Sequence, residues 1–308
     1  MHIPDGFLDV KTAVGAGVVA AAGVGVALRQ VSRQLPPRRV PLLGLAAAFI
    51  FAAQMLNFPV AGGTSGHLIG AVLAAVLLGP AAAVIAMTAV LVVQCFLFQD
   101  GGVSALGANV FNMAVLAPVI GSAIYRSVRR VLPGQAGILT AAAFAGWCST
   151  VVAAISCAGQ LALSGTVAWS VSFPVMAGVH MLIGIGEGLI TALVLSAVLK
   201  ARPELIEDSA PSTGSVVAVG LVVALGLALF VAPFACSWPD GLEKVATTLG
   251  FESRAAEKPL LAAPVPDYAL PGIGSPAVAT ALAGALGTIL VFGLSWLLAR
   301  SLTTKRET

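Results

Sequence analysis

Residues 81–98 read AAAVIAMTAVLVVQCFLF, with no Asp, Glu, Lys or Arg from one end to the other. A bilayer core needs about 17–25 consecutive apolar residues in a helix, and this stretch meets that length. Gly79-Pro80 stands immediately before it and marks a tight turn. Runs of the same kind recur on both sides, at 12–28, 40–57, 66–79, 106–125, 138–163, 173–199, 215–234 and 276–298. The run at 66–79 is short and could be a half-span. The whole chain is 58% hydrophobic and 9% charged over 308 residues, whereas a soluble domain carries about 25% charged residues. The expected fold class is therefore all-α and integral to the membrane: a polytopic helical bundle of about nine transmembrane segments.

Orientation follows from where Lys and Arg collect. With the N-terminus outside, the inner segments hold Arg29, Arg33, Arg38 and Arg39, then Arg126, Arg129 and Arg130, then Lys200 and Arg202, then Arg300, Lys305 and Arg306. Only Lys11, Lys244, Arg254 and Lys258 of the 16 basic residues fall outside. This places the C-terminus in the cytoplasm and the chain in a cell membrane as a multi-pass protein. Asp5 and Asp9 precede the first apolar run and Arg29 follows it, the reverse of a signal peptide, so the first helix and Met1 are expected to be retained. A net charge of +3 gives no reason to expect nucleic acid as a partner.

Composition shifts after the eighth run. Residues 235–275 are polar and rich in proline, which divides the chain into a main body at 1–234 and an external loop plus last helix at 235–308. Along the first run Ala13, Gly17, Ala21 and Gly25 repeat a small residue every fourth position. Such a stripe lets another helix approach closely, either inside the bundle or on a partner subunit. The four cysteines Cys95, Cys148, Cys157 and Cys236 form no CxxC pair and read as small buried hydrophobes.

Three histidines are present: His2, His67 and His180. A free amine at Met1, the amide nitrogen of His2 and its imidazole can close fused five- and six-membered chelate rings on one metal, leaving one in-plane position open. His67 lies in Gly62-Gly63-Thr64-Ser65-Gly66-His67, on the same membrane side, where glycine permits unusual backbone. It reads either as the missing ligand or as a structural residue. Planar nitrogen donors including a deprotonated amide suit Ni(II) or Cu(II) best, with cobalt possible. A second polar cluster, Asp100 with Asn109 and Asn112, could line a cavity beside the site or cap loops and join helices. His180 and Glu187 share one face of the seventh run, seven apart; ionisable groups inside a span are functional by default, here on an ion path or in coupling to another subunit, and a structural pairing with each other or with a neighbouring helix is the alternative. No GxxxxGK[ST] phosphate loop is present, so ATP is not expected to be bound by this chain, and no HExxH or other catalytic constellation suggests an enzyme. A rival reading is a proton-coupled secondary carrier or channel for divalent metals, with His180 and Glu187 as its relay.

The opening Met1-His2-Ile3-Pro4-Asp5-Gly6-Phe7-Leu8, the stretch from Asn57 to His67, Leu97 to Gly102 with Gly107 to Met113, and His180 to Gly188 together resemble the CbiM/NikM substrate-capture components of energy-coupling-factor transporters for cobalt and nickel. Pro239-Asp240-Gly241-Leu242-Glu243 resembles the signature of the PDGLE module, a CbiN/NikN-like accessory piece. The resemblance implies a prokaryotic metal-uptake subunit that takes Ni(II) or Co(II) as substrate and has no organic cofactor. It implies metal ligands at Met1, His2 and His67, with Thr64 and Ser65 in the loop that holds His67. It further implies a transmembrane coupling protein (CbiQ/NikQ-like) and cytoplasmic ATPases (CbiO/NikO-like) as partners, with the small-residue stripe as a contact for the coupling protein.

Overall fold

The computed structural model describes residues 1–207 and 213–304. Among the described residues seven helices are long and apolar enough to cross a membrane: α1 (Val10–Gln34), α4 (Pro80–Phe98), α5 (Leu106–Val131), α6 (Gly134–Leu163), α7 (Trp169–Ala201) and α8 (Gly214–Phe234), and α10 (Pro276–Thr304). Helices α2 (Val40–Gln54) and α3 (Ala71–Leu78) are shorter, so two of the expected nine spans do not reach spanning length. The reason is local. The loop between them is an antiparallel hairpin, β1 (Phe58–Val60) against β2 (Thr64–Gly66), with Phe58 opposite Gly66 and Val60 opposite Thr64, and irregular backbone follows it as far as Gly70, so that α3 starts only at Ala71. Its turn requires positive φ at Gly62 and Gly63, and Gly70 repeats that conformation before α3 begins. His67 therefore sits in an irregular bend between β2 and α3, not at the head of a helix. Among the described residues the hairpin is the one sheet, and a short helix, α9 (Gly241–Leu249), lies in the loop before α10.

Helix α4 lies at the centre, most of it buried, and α1 and α8 lie at the edge, most of each exposed. The outer faces carry exposed Val10, Val14, Val18 and Val26 on α1 and Val219, Val222 and Phe230 on α8. An apolar belt of this kind is stable in contact with lipid and would drive association in water. The small-residue stripe divides. Gly17 packs on Gly107 of α5 so closely that a Cβ on Gly107 would stand 2.5 Å from the Gly17 Cα, whereas a Cβ at Gly25 would meet nothing within 4 Å. Part of the stripe is thus an internal seam. All four cysteines are free, with Cys95 and Cys157 buried.

Two devices shape the end of the bundle that carries His67. Helix α4 closes in a π turn over Gln94–Phe98 and stops at Gln99, which adopts φ 61; π turns widen a helix locally and turn side chains away from their usual direction. The loop that follows contains Gly101 and Gly102, and the N-terminal segment lies directly on it. A Cβ on Gly102 would stand 2.1 Å from the amide nitrogen of Asp5.

Candidate metal centre

The N-terminal segment is built into the protein. Met1, Ile3 and Phe7 are buried, and each is tied by its backbone. Ile3 donates its N–H to Asn109 Oδ1 (2.8 Å) and accepts from Asn109 Nδ2 (3.1 Å) and from the Gly102 N–H (2.9 Å). Thr166 donates its hydroxyl to the Phe7 carbonyl (2.5 Å). Asp5 Oδ1 accepts from the Ser104 hydroxyl (2.6 Å) and amide (2.8 Å), and Oδ2 from the Leu260 amide (3.2 Å). Seven hydrogen bonds on so few residues leave the position of Met1 and His2 little freedom.

At its tip the Met1 amine lies 2.7 Å from His67 Nε2 and 2.8 Å from Asp240 Oδ2. The rings of His2 and His67 are stacked, with centroids 5.3 Å apart. His67 turns its other nitrogen, Nδ1, towards the Leu68 carbonyl at 3.2 Å, which leaves Nε2 as the unprotonated, lone-pair nitrogen aimed at the amine. Burial, then the charged amine and the His2 ring, hold the His67 imidazole well below its ordinary value, at about 3. It is neutral, as a metal ligand must be. Burial resists the charge on Asp240, but the amine and His67 outweigh it and hold that carboxyl below the usual range. Among the described residues nothing accepts a hydrogen bond from the His2 amide, so that nitrogen is uncommitted.

His2 has an oxygen at each ring nitrogen. Nδ1 meets Asp100 Oδ1 at 3.1 Å and Nε2 meets Gln94 Oε1 at 3.2 Å. Burial lowers its affinity for a proton and the Asp100 charge opposes that, with lowering the net result. Asp100 is held from behind by the Tyr268 hydroxyl, which donates to Oδ2 at 2.5 Å.

Two donors bound to one metal at about 2.0 Å and at right angles stand about 2.8 Å apart. The Met1–His67 separation of 2.7 Å matches that edge. No group of three or more His, Cys, Asp or Glu side chains among the described residues could hold a metal; the donor set here draws instead on main-chain nitrogen.

The other expected residues distribute as follows. Asn109 is beside the site but clasps the backbone of Ile3. Asn112 is elsewhere: it exchanges hydrogen bonds with Gln160 (2.8 and 3.0 Å) and accepts from Ser156 (2.7 Å), joining α5 to α6. The two asparagines do not line one cavity, because the chain between them enters a π segment over Val110–Leu116. Ser65 gives its hydroxyl to the Trp238 carbonyl at 2.7 Å and its amide to the Pro239 carbonyl at 2.8 Å; it docks the external loop. The Thr64 hydroxyl is buried with no partner. His180 and Glu187 are not paired: His180 Nδ1 meets the Met176 carbonyl (2.8 Å), and Glu187 accepts from the amides of Ile69 (2.5 Å) and Gly70 (2.9 Å). Seven residues along a helix is about 10 Å of rise, too far for contact.

Sequence reasoning missed Gln54, Gln94, Asp240 and Tyr268. The PDGLE stretch was visible as a motif, but nothing in it says that Asp240 reaches Met1. In the structure Asp240 caps α9 reciprocally with Glu243 and uses its second oxygen on the amine.

Residues 2–205 match the family model described as cobalt uptake substrate-specific transmembrane region, and residues 214–304 match the PDGLE domain. The second match begins at the start of α8, earlier than the compositional shift at 235. A protein of Archaeoglobus fulgidus with the provisional name fused nickel transport protein NikMN is 39% identical over 303 residues, covering 97% of this chain and 98% of the relative. Cobalt transport protein CbiM 2 of Pelobacter propionicus is 34% identical, covering 66% of this chain and 93% of the relative. A crystal structure described as a transition metal transporter superposes with a TM-score of 0.61 at 35% identity, covering 68% of this chain and 98% of that one.

Proposed function

Since the chain belongs to the cobalt uptake substrate-specific transmembrane family, with a PDGLE domain fused behind it, we propose that it is the metal-capture subunit of an importer for Ni(II) or Co(II), powered by ATP hydrolysis on partner subunits. The observation that carries the reading is the Met1 amine at 2.7 Å from His67 Nε2, with the His2 ring stacked beside it. In this reading the amine, the His2 amide and His2 Nδ1 form the fused chelate and His67 Nε2 closes the plane. The metal takes the place of the amine's proton and of the contact between His2 Nδ1 and Asp100. A plane of four nitrogens favours nickel over cobalt.

The family's coupling protein and ATPases fit the lack of a phosphate loop in this sequence. The Lys and Arg distribution supports a site that opens outside the cell membrane. We place the capture body at 1–234 and the accessory piece at 235–308. The carrier reading loses its support, since His180 and Glu187 form no relay and Glu187 is bound to the backbone beside His67.

The test is titration of the purified chain with Ni(II), followed by its visible absorption. One equivalent is expected to bind, and His67→Ala or a residue inserted between Met1 and His2 is expected to change the spectrum and weaken binding. Unaltered binding by both variants, or a mature chain whose Met1 amine is blocked yet binds metal normally, overturns the reading. Uptake by this chain alone at the rate of a full complex overturns its dependence on partners.

A further inference from the structure

We propose that Ile183 of α7 is a positioning residue for the metal centre, a stiff spacer that sets where His67 and Asp240 stand relative to each other. The inference rests on the capture reading, because the Met1 amine takes its place from those two residues.

The amine lies 2.7 Å from His67 Nε2 and 2.8 Å from Asp240 Oδ2. One partner comes from the bend after β2 and the other from the head of α9. Gly66 directly precedes His67, and Gly241 directly follows Asp240. Both glycines rest on the same side chain. A Cβ on Gly66 would stand 2.7 Å from Ile183 Cγ2, and a Cβ on Gly241 would stand 2.7 Å from Ile183 Cδ1. Neither glycine has positive φ, so the backbone at both would accept alanine; it is the occupied space that calls for glycine. The two segments are also strapped to each other. Ser65 donates its amide to the Pro239 carbonyl at 2.8 Å and its hydroxyl to the Trp238 carbonyl at 2.7 Å. The strap draws the segments together, and the buried side chain they share decides where the pair comes to rest on α7.

Isoleucine suits that task. Branching at Cβ holds χ1 to one strongly preferred rotamer in a helix. The Cγ2 arm and the Cγ1–Cδ1 arm therefore leave α7 in fixed directions, one to each glycine. Leucine has the same atoms but no branch at Cβ, so it cannot touch both glycines in the same way. His180 completes the seat, since the same Cβ on Gly241 would stand 2.8 Å from its Cε1 and Nε2. That places the histidine under the head of α9 and gives it a use that needs no relay. Residues behind metal ligands commonly change affinity by about 10–100-fold when altered.

The experiment uses the purified full chain, with the helices of each variant checked by circular dichroism. Ni(II) affinity and visible absorption are measured, and exchange of the Ser65 amide is followed without metal. Ile183→Leu conserves volume, and such a swap costs a core little. It is expected nonetheless to weaken Ni(II) binding by about tenfold, to alter the spectrum and to speed exchange at Ser65. Gly66→Ala is expected to weaken binding by at least as much. Adding Ile183→Ala to Gly66→Ala removes Cγ2 and is expected to recover about threefold or more of that loss. Adding Ile183→Val, which deletes Cδ1 alone, is expected to recover none.

Ile183→Leu with affinity within about twofold of the parent and an unaltered spectrum overturns the proposal. So does unchanged Ser65 exchange, or a Gly66→Ala chain that Ile183→Ala does not improve. If Gly66→Ala does not fold, restoration of the fold by Ile183→Ala supports the contact and failure to restore it overturns it. A parent that binds no metal defeats the capture reading instead, while the exchange of Ser65 is read on metal-free protein.

Discussion

The carboxylate of Glu187, deep in α7, lies 2.5 Å from the amide nitrogen of Ile69, and its second oxygen accepts from Gly70. Among the described residues, the only acid well inside a span is thus occupied in clamping the backbone two and three residues beyond His67. Glu187→Gln turns one of the two acceptor oxygens into a donor, leaving one buried N–H facing an N–H. An unmet buried group costs about 1–3 kcal/mol, and 1.4 kcal/mol is tenfold in affinity. Ni(II) binding by Glu187→Gln is therefore expected to weaken by about tenfold in calorimetry. A proton relay at this residue requires the opposite: unchanged metal binding with uptake lost.

Gly102 touches the N-terminal segment directly. A Cβ there would stand 2.1 Å from the Asp5 amide and 2.6 Å from the Pro4 carbonyl carbon, both backbone atoms that cannot swing aside. Gly102→Ala is expected to lift Met1–Asp5 off its seat and abolish Ni(II) binding, while the helices persist by circular dichroism. Full binding by this variant would mean that the close approach is unnecessary.

The sequence made the helical spans legible because lipid imposes a coarse rule, a long run without charge. It also made His2 and His67 legible, since a histidine second from an amine and a histidine after glycines each carry a local chemical meaning. The hairpin at 58–66 was missed because its strands are three residues each and its glycine-rich turn reads simply as an outer loop between two apolar runs. Gln54, Gln94 and Tyr268 were missed for a different reason. A glutamine in an apolar run has no local signature, and its role is set by a carbonyl, an amide and a ring brought from three other places in the chain. Asn112 shows the converse: its spacing from Asn109 suggested one face, and a π segment sent the two side chains to different neighbours.

Tyr268 lets the external loop bear on the site. Burial, and then the Asp100 charge, raise its phenol well above the ordinary value, so it remains protonated and donates to Asp100 Oδ2. Its ring stacks on Phe98 at 4.7 Å, a contact that phenylalanine retains. Tyr268→Phe therefore removes one charge-assisted hydrogen bond, worth about 1.5–3 kcal/mol, with little change in packing. The expected outcome is a several-fold loss of Ni(II) affinity together with faster proteolysis in 255–275. If proteolysis quickens and affinity is untouched, Asp100 needs no support from the loop.

Asp5 gives a pH dependence outside the ligand set. Burial works against its charge, but the hydrogen bonds from Ser104 and from the Leu260 amide outweigh burial and hold the carboxyl below its ordinary 3.8. A depressed acid contributes stability that is complete above the unfolded value and is lost as pH falls through the folded one. Asp5→Asn keeps an oxygen for Ser104 but presents N–H to the Leu260 amide, so it should unfold at lower temperature than the parent at pH 7. As pH falls through the ordinary 3.8 the unfolded chain takes up this proton before the folded one does, and the gap between the two melting temperatures should narrow. Parallel melting curves for parent and variant from pH 7 to pH 3 would show that the Asp5 charge does not hold the N-terminal segment to the loops at 101–104 and 255–260.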